Sequence, residues 1–377
     1  PGTDHAGIAT QMMVEKNLAK QGISRHDLGR EKFIEKTWEW ANEHKSAILN
    51  QFKRLGASFD RSRERFTFDK GCSDAVKEVF VTLYNKGLIY KGAYIVNWCP
   101  RCGTSLSEHE MHGSYKDIEH MAVFFKAPIR DQNRCILVWT TTPWTLPSNT
   151  ALCVGPKIDY VAVRTYNPYD GQKITAIVAE PLLYSIFNKK GEEVALEDYK
   201  AGDKLIPFEV VGKYKGTDLC GMHYEQLLPW VKPVEADEQG NWIEASAKGF
   251  RVILGDYVTT EDGTGIVHIA PTFGADDAFV ARQAGIPSLF MINKRGETRP
   301  MVDFTGKFFL TEELDEKFVA ECVNADYKEY EGRFVKNAYD PQYTVDGRYD
   351  EKAAAAAENL DIYISIRLKE TNKVFKI

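Results

Sequence analysis

The segment VWTTTPWTLPSNTALCV spans Val138 to Val154 and places five threonines and two prolines inside an otherwise apolar pattern. Proline has no N–H group to donate to a β-ladder, so a strand that enters this segment is interrupted at Pro143. The interruption leaves threonine hydroxyls and backbone N–H groups outside the sheet, where they can hold a ligand. Threonine is also favoured in strands, so β propensity alone is an alternative explanation of the triplet.

The chain around this segment has 377 residues, a formal charge of −6 and 44% hydrophobic residues. This composition is typical of a soluble protein long enough for two or three domains. Its mild acidity argues against a protein that coats nucleic acid non-specifically, although a local basic groove is compatible with it. No apolar run approaches the ~20 residues of a membrane span. The start at Pro1 and the strand-like end at Ile377 indicate an internal piece of a longer protein.

The first part of the chain is predicted to be helical. Apolar residues recur at helical spacing from about Leu28 to Leu55, and Gly56 is a natural stop. A second helix is predicted from Ser73, as its N-cap, to Gly87. The apolar residues of this second helix are expected to face the core, and they are Val76, Val79, Phe80, Leu83 and Tyr84.

After Gly113 the pattern becomes mainly β. Short apolar runs are bounded by turn-forming residues, as in MAVFFKA, CILVW, YVAVRTY, ITAIVAE and FRVIL. Short strands at irregular spacing indicate a compact, barrel-like domain inserted into another fold. Near the end, KAAAAAENL (Lys352 to Leu360) predicts a helix, and the alternation in DIYISIRL predicts a strand after it.

The first residues, PGTDHAGIATQ, place Gly2 and Gly7 on either side of a Thr-Asp-His turn, with a helix predicted from Ile8 onward. Glycine lets a ligand approach the backbone, so Gly2, Asp4 and His5 form a candidate substrate-binding turn. An aspartate that caps the helix is the alternative. The stretch resembles class I aminoacyl-tRNA synthetases of the valyl type, as do RLGASFDRSRERFTFD, LYNKGLIYKG and VNWCPRCGTSLSEHE. The resemblance implies that Asp4 holds the α-ammonium group of the amino acid.

Of the seven cysteines, only Cys99 and Cys102 are closely spaced, which is typical of a reduced, cytoplasmic protein. Two thiolates at C-x-x-C can face one Zn²⁺, but they supply only half of a tetrahedral site. His109 and His112 follow at a spacing too tight for the usual zinc finger. In the resembling family a second cysteine pair lies beyond the inserted domain. We therefore expect Cys99 and Cys102 to belong to a metal site that is incomplete here, with an unmetallated turn as the alternative.

The threonine segment and a second stretch, GTGIVHIAPTFGADDA (Gly263 to Ala278), resemble the two motifs of the editing domain in isoleucyl-type enzymes of this class. Editing hydrolyses an amino-acid ester on the terminal adenosine of a mischarged tRNA. Such an ester is already activated, so hydrolysis needs a fixed ester, one placed water and a stabilised oxyanion, without a metal or a protein nucleophile. The resemblance implies a catalytic site composed of Thr140, Thr141, Thr142, Asn149, His268 and Asp277.

The resemblance also implies a role for each of these residues. The threonines line the site, with Thr141 or Thr142 nearest the ester, and Asn149 contacts the adenosine or the water. Asp277 binds the α-ammonium group, and His268 excludes the larger, correct amino acid, so that the pocket acts as a second sieve. A hydrogen-bonded core residue is the alternative for His268, and a helix cap is the alternative for Asp277.

The two resemblances divide the chain. Residues 1 to about 110 resemble valyl enzymes and residues 115–377 resemble isoleucyl enzymes, and Thr272-Phe273-Gly274 replaces the Gly-His-Gly of many isoleucyl enzymes. A natural mosaic and a joining of two related genes both remain open. The extent of the resemblance favours isoleucine as the amino acid that the enzyme attaches, and the turn at Asp4 favours valine. Two alternative functions are not enzymatic. One is a module that binds the 3′ end of tRNA without catalysis, and the other is a zinc-stabilised scaffold.

The predicted fold is α/β, with part of a Rossmann-type nucleotide-binding domain (residues 1–56), a connective region with the cysteine knuckle (57–114) and an inserted, mainly β editing domain (115–377). The resemblance implies an ATP- and Mg²⁺-dependent ligase, whose partners are a branched aliphatic amino acid and the acceptor end of its tRNA. We expect a cytoplasmic monomer without membrane contact. The chain contains neither the HIGH nor the KMSKS sequence, so it is not expected to form aminoacyl-adenylate.

Overall fold

The computed structural model describes residues 2–92, 95–100, 103–117, 121–237, 239, 241–345 and 348–377. The chain separates into two compact units, residues 1–93 and 94–377. The domain boundaries predicted at residues 56 and 114 stay a prediction, because compactness alone does not assign a function to a domain. In the part of the chain that the structure describes, every helix is too short or too polar to span a membrane.

The smaller unit combines helices with a short pair of strands. Its elements are β1 (Gly2–Thr3), α1 (Gly7–Ala19), α2 (Arg25–Leu28), α3 (Arg30–Arg54), β2 (Arg65–Phe66) and α4 (Lys70–Asn85). The helices predicted from Ile8 and up to Leu55 are confirmed as α1 and α3, and Gly56 follows α3 with a φ of 73°. β1 and β2 are parallel, with Gly2 opposite Arg65, and a parallel pair requires the helical connection that separates them.

Helix α4 differs from its prediction at its start and on its apolar face. Asp69 and not Ser73 is the N-cap, because the Asp69 carboxylate accepts a hydrogen bond from the Cys72 N–H at 2.8 Å. Aspartate caps a helix as well as serine does, so the helix begins about one turn earlier. The residues predicted to face the core are mostly exposed, with Val76 at 68% and Phe80 at 56%. The periodicity identifies their common face correctly, but the described residues of this unit do not cover it.

The larger unit is mainly β with short helices. Its strands are β3 (Trp98–Cys99), β4 (Thr104–Ser105), β5 (Val123–Pro128), β6 (Cys135–Thr140), β7 (Ala151–Val154), β8 (Asp159–Tyr166), β9 (Lys173–Ala179), β10 (Glu209–Lys215), β11 (Val234–Ala236), β12 (Trp242–Glu244), β13 (Arg251–Leu254), β14 (Ile266–Ile269), β15 (Met291–Ile292), β16 (Thr298–Arg299), β17 (Thr344–Val345), β18 (Arg348–Tyr349) and β19 (Val374–Lys376). Its helices are α5 (Glu108–Met111), α6 (Leu183–Ile186), α7 (Gly216–Leu219), α8 (Ala275–Gln283), α9 (Glu316–Cys322), α10 (Glu351–Ala356) and α11 (Leu360–Glu370). The predicted strand runs are confirmed as β5, β6, β8, β9 and β13.

The main sheet of this unit is open. Its strand order is β10-β8-β9-β6-β5-β19, and only the β6–β9 pair is parallel, with Cys135 opposite Ala176. β10 and β19 form its two edges and do not pair with each other in the described residues, so the predicted barrel is not confirmed. Strand length and spacing indicate a β domain, whereas closure depends on tilt and stagger between strands, which a sequence pattern does not report.

A second, three-stranded sheet positions the two sequence motifs. β7 lies between β13 and β14, parallel to the first and antiparallel to the second. Leu152 of β7 pairs with His268 of β14, and Ala151 pairs with Ile269. The end of β14 therefore lies beside the start of β7, where the threonine segment enters the sheet.

Helix α11 replaces the strand predicted at DIYISIRL. The helix predicted in KAAAAAENL is confirmed in part as α10, which ends at Ala356. α11 begins after Asn359, whose side chain accepts a hydrogen bond from the Ile362 N–H at 3.1 Å. Its buried apolar residues, Leu360, Ile364 and Leu368, recur every four positions and form one helical face. The strand prediction is wrong because a run this short fits both the two-residue period of a strand and the 3.6-residue period of a helix. The asparagine N-cap and the packing of the core select the helix.

Ile364 and Ile366 distinguish the helix from a strand. On a strand they would share one face, whereas Ile364 is 0% and Ile366 is 44% exposed. Ile364→Ala is therefore expected to lower the free energy of unfolding by about 2–5 kcal/mol, and Ile366→Ala by less than about 0.5 kcal/mol. Urea unfolding measures both variants, and equal losses would contradict the helical assignment.

Candidate functional site

The threonine segment ends β6 and continues as a 3₁₀-helix. β6 stops at Thr140, and Pro143–Ser148 form the 3₁₀-helix with Pro143 as its first residue. The Thr140 hydroxyl accepts a hydrogen bond from the Thr142 N–H at 3.1 Å, and the two hydroxyl oxygens are 3.4 Å apart. The predicted interruption at Pro143 is confirmed, and it leaves Thr141 and Thr142 half-buried at the end of the strand.

The second motif consists of β14, a loop and the start of α8. Asp277 lies in the first turn of α8, and its carboxylate accepts a hydrogen bond from the Ala270 N–H at 2.9 Å. This bond ties α8 to the residue that follows β14. Gly274 leaves space for it, because a Cβ at this position would lie 2.7 Å from the Asp277 carboxylate.

The two motifs meet at Thr145 and His268. The Thr145 hydroxyl oxygen lies 3.2 Å from Nε2 of His268, which is 123 residues away in the sequence. Beside this contact, the Trp144 ring packs edge-on against Phe273, with ring centroids 4.8 Å apart. The 3₁₀-helix therefore packs against the loop between β14 and α8, and both motifs lie at one end of the three-stranded sheet.

Asn149 holds the start of β7 against the end of β14. It is 2% exposed, and its amide nitrogen donates to the carbonyl oxygens of Ala151 at 2.9 Å and Ile269 at 3.4 Å. Its oxygen accepts a hydrogen bond from the Tyr224 hydroxyl at 2.6 Å. These bonds give Asn149 a structural function, while its contact with adenosine or water stays a prediction.

His268 is neutral near pH 7, because burial lowers its pKa to about 4. The Thr145 hydroxyl donates to the Thr142 carbonyl oxygen at 2.9 Å, so the same hydroxyl accepts from the Nε2–H of His268. Nδ1 is then an acceptor, and it is buried without a hydrogen-bond partner in the described residues. A buried acceptor of this kind indicates a place for water or a polar ligand.

We expect the low pKa of His268 to reduce the stability of the fold in acid. An unfolded histidine has a pKa of about 6.5, so the unfolded chain binds this proton before the folded chain does. The contribution of His268 to the free energy of unfolding is therefore complete above about pH 6.5 and decreases as the pH falls toward the folded pKa. His268→Gln should lose ~1–3 kcal/mol less stability than the unsubstituted chain between about pH 7 and about pH 4.5.

Urea unfolding at several pH values measures this difference. His109→Gln is the control, because His109 is exposed in the same unit. A pH dependence of His268→Gln identical to that of the unsubstituted chain would contradict the prediction.

Asp277 is a half-buried carboxylate without a cation beside it. Burial raises its pKa above the ordinary value, the hydrogen bond from Ala270 opposes this shift, and the charge of Asp276 adds to it. None of the ion pairs among the described residues involves Asp277. A bound ammonium group would supply the missing positive charge and favour the ionised carboxylate.

Several buried hydroxyls beside the motifs have no hydrogen-bond partner in the described residues, namely those of Ser148, Thr150 and Thr272. Ser148 and Thr150 flank Asn149, and Thr272 lies in the loop between β14 and α8. Buried polar atoms are normally paired with protein or ordered water. These hydroxyls are therefore available to pair with water or a polar ligand at this end of the sheet.

Thr145 is the residue of this site that the sequence motifs did not assign. It follows Thr142 by one 3₁₀ turn, and Pro143 between them is a recognisable start for such a helix. That local pattern predicts the bond to the Thr142 carbonyl. The contact with His268 depends on how the two sheets pack, and no local pattern contains it.

A comparison of the chain with known proteins identifies its family. The family described as tRNA synthetases class I (I, L, M and V) matches residues 1–359. The chain belongs to this family. This synthetase chain is 52% identical, over 100% of its length, to an isoleucine–tRNA ligase of Bacteroides thetaiotaomicron. It is 34% identical over 89% of its length to a valine–tRNA ligase of Listeria innocua.

This synthetase chain spans about a third of the curated relatives, 33% of the Bacteroides protein and 29% of the Listeria protein. The Bacteroides relative matches the valyl-like and the isoleucyl-like parts within one protein, which favours a natural arrangement over a joining of two genes. A solved editing domain of the P. knowlesi cytosolic leucyl-tRNA synthetase is similar at 14% identity, covering 67% of this chain and 95% of that one. Its TM-score of 0.35 supports no conclusion about the fold.

In the smaller unit of the synthetase chain, the turn predicted to bind the amino acid is held by its own side chains. Asp4 accepts a hydrogen bond from the Ala6 N–H at 2.6 Å, in a turn where Ala6 has a φ of 45°. The His5 ring stacks on Phe68 with centroids 5.2 Å apart and lines a cavity of about 640 Å³. Binding of the amino acid by Gly2, Asp4 and His5 stays a prediction.

A zinc site also stays a prediction. The described residues contain no group of three or more His, Cys, Asp or Glu side chains that would hold a metal ion. Cys102 lies outside the described residues, so its predicted pairing with Cys99 is not tested. A structural zinc site needs four ligands, of which a C-x-x-C pair supplies two.

Proposed function

We propose that the chain is part of an isoleucine–tRNA ligase and that its larger unit hydrolyses the ester of tRNA that carries the wrong amino acid. The contact between the two motifs, at Thr145 and His268, is the observation that supports this proposal most directly. Each motif also carries a group suited to the ester, the hydroxyls of Thr141 and Thr142 in the first and the Asp277 carboxylate, which is in no ion pair among the described residues, in the second. These groups are the ones that a small amino ester requires.

The hydrolysis uses no covalent intermediate with the protein. Water attacks the carbonyl carbon of the ester, the bond from that carbon to the ribose oxygen breaks, and a proton from the water passes to the ribose oxygen. The hydroxyls of Thr141 and Thr142 fix the ester and donate to the carbonyl oxygen, which becomes negatively charged in the transition state. Fixing the ester and the water together removes most of the entropic cost of the reaction.

Asp277 and His268 select the ligand in this proposal. The Asp277 carboxylate pairs with the α-ammonium group, which marks the ligand as an aminoacyl ester. The His268 ring limits the space for the side chain, so a valyl group enters and an isoleucyl group does not. A second pocket is needed because one methylene group gives only ~1–3 kcal/mol of discrimination in binding.

We further propose that the complete protein joins isoleucine to its tRNA with ATP and Mg²⁺, as a monomer in the cytoplasm. Asp4 would hold the α-ammonium group of the amino acid in the synthetic site. The chain contains neither HIGH nor KMSKS, the nucleotide-binding signatures of the class, so its own residues are not assigned to any step that involves ATP.

Deacylation of valyl-tRNA(Ile) and threonyl-tRNA(Val) by the 377-residue chain tests the proposal. We expect the valyl ester to be cleaved at least about tenfold faster than the threonyl ester, a difference of ~1.4 kcal/mol in activation free energy. A preference for the threonyl ester would instead support a valine–tRNA ligase, the alternative that the PGTDHAG turn favours. Binding of tRNA without cleavage of either ester would identify a 3′-end-binding module and overturn the hydrolytic assignment.

A further inference from the structure

Asp361 is a buried carboxylate in the first turn of α11, with 4% of its surface exposed. Its Oδ1 accepts a hydrogen bond at 2.9 Å from the N–H of Trp144, which lies 217 residues earlier in the chain. Its Oδ2 lies 2.7 Å from Nζ of Lys336. One oxygen therefore holds the backbone of the threonine segment, and the other pairs with a cation. Asp361 also lies beyond residues 1–359, the part that the family matches.

The 3₁₀-helix at Pro143–Ser148 needs this acceptor because its own N-cap provides none. The first N–H groups of a helix have no partner inside the helix. Pro143 has no N–H group, and Thr142, at the N-cap, makes no side-chain capping bond. The Trp144 N–H is therefore the donor that requires an external acceptor, and Asp361 supplies that acceptor from α11.

We propose that Asp361 is a positioning residue of the hydrolytic site, which fixes the orientation of Thr142 and Thr145 by capping the 3₁₀-helix from a distance. This inference rests on the proposed function. The same helix is also held by the contacts of Thr145 with His268 and of Trp144 with Phe273. The threonine segment is thus attached both to α11 and to the second motif. Together these two attachments fix the orientation of its hydroxyl groups.

A purely stabilising ion pair explains Asp361 less well. Removing charged groups from water costs several kcal/mol, and apolar residues in place of a buried ion pair are often as stabilising or more so. An apolar residue at position 361 cannot accept the Trp144 N–H. The hydrogen bond is directional, so it selects one orientation of the 3₁₀-helix, which a non-directional apolar contact does not.

Two substitutions separate the hydrogen bond from the ion pair. Asp361→Asn keeps an oxygen that accepts the Trp144 N–H but removes the negative charge, whereas Asp361→Ala removes both. For deacylation of valyl-tRNA(Ile), Asp361→Ala should lower kcat about tenfold with KM changed less than about twofold, and Asp361→Asn should keep kcat within about threefold. Amide hydrogen exchange at Trp144 should accelerate in the alanine variant and stay slow in the asparagine variant.

Asp326→Asn is the matched control, because Asp326 also pairs with α11, through Arg367 at 2.9 Å, without contacting the threonine segment. It should leave kcat and the Trp144 exchange rate unchanged. Equal loss of kcat in both Asp361 variants, or an unchanged kcat in Asp361→Ala, overturns the positioning role. If the unsubstituted chain cleaves neither ester, the proposed function fails. In that case the amide hydrogen exchange rate of Trp144 alone tests whether Asp361 caps the 3₁₀-helix. Slow exchange in Asp361→Ala overturns the inference.

Discussion

Asp277→Ala is expected to lower kcat/KM for deacylation of valyl-tRNA(Ile) about 100-fold, because truncating one partner of a desolvated charge pair costs ~2–5 kcal/mol. Burial raises the pKa of Asp277, so the site stabilises the ionised carboxylate less than water does. An α-ammonium group relieves this cost only when the carboxylate is present. Initial rates of valine release from the tRNA provide the measurement.

Two further variants make the result specific. Asp277→Asn keeps an acceptor for the Ala270 N–H, and therefore the attachment of α8, but removes the charge. It should be as impaired as the alanine variant if the charge binds the ammonium group. Asp276 is the adjacent, exposed carboxylate in the same turn, and Asp276→Ala should change kcat/KM less than about twofold. Full activity in Asp277→Asn would show that the carboxylate only anchors α8.

His268→Ala is expected to change which ester the chain cleaves. If the imidazole ring excludes the isoleucyl side chain as proposed, its removal should let the chain deacylate isoleucyl-tRNA(Ile) at least about tenfold faster than the unsubstituted chain does. Valyl-tRNA(Ile) should remain a substrate, because Asp277 and the threonines are unchanged. The ratio of isoleucine release to valine release measures the change in selectivity.

His223→Ala is the control for the loss of a half-buried imidazole. His223 also has a buried Nδ1 without a hydrogen-bond partner among the described residues, but it belongs to neither motif. It should leave the ratio of the two release rates unchanged. Loss of both activities in His268→Ala would contradict size selection and assign the ring a role in the fold of the site.

Most local structure was predictable because its causes act over a few residues. The end of α3 before Gly56 and the end of β6 before Pro143 have local causes, the positive φ of glycine and the missing N–H group of proline. Neither end depends on distant parts of the chain. The apolar runs of β5, β6, β8 and β9 are strands because a short apolar run bounded by turn residues buries itself most readily in a sheet. The two motifs that contain the candidate site were identified by their resemblance to editing domains and not by this local reasoning.

Two of the wrong predictions concern features for which two local solutions are nearly equivalent. Ser73 and Asp69 are both good N-caps, and only the observed hydrogen bond to Cys72 selects Asp69. The run DIYISIRL satisfies a period of two and a helical face, and burial of Ile364 but not Ile366 selects α11. Local propensity is a weak preference, and the packing of the whole unit overrides it.

The amino-acid order alone specified the interruption at Pro143, since the steric limits of proline are a property of the chain itself. The second motif was identified by its resemblance to editing domains. Tertiary structure decided that Thr145 contacts His268, that the Asn149 side chain hydrogen-bonds to other residues of the chain, and that Asp361 caps the 3₁₀-helix. These contacts join residues up to 217 positions apart. Their formation depends on sheet register and on the packing of α11, which arise only when many distant residues are buried together.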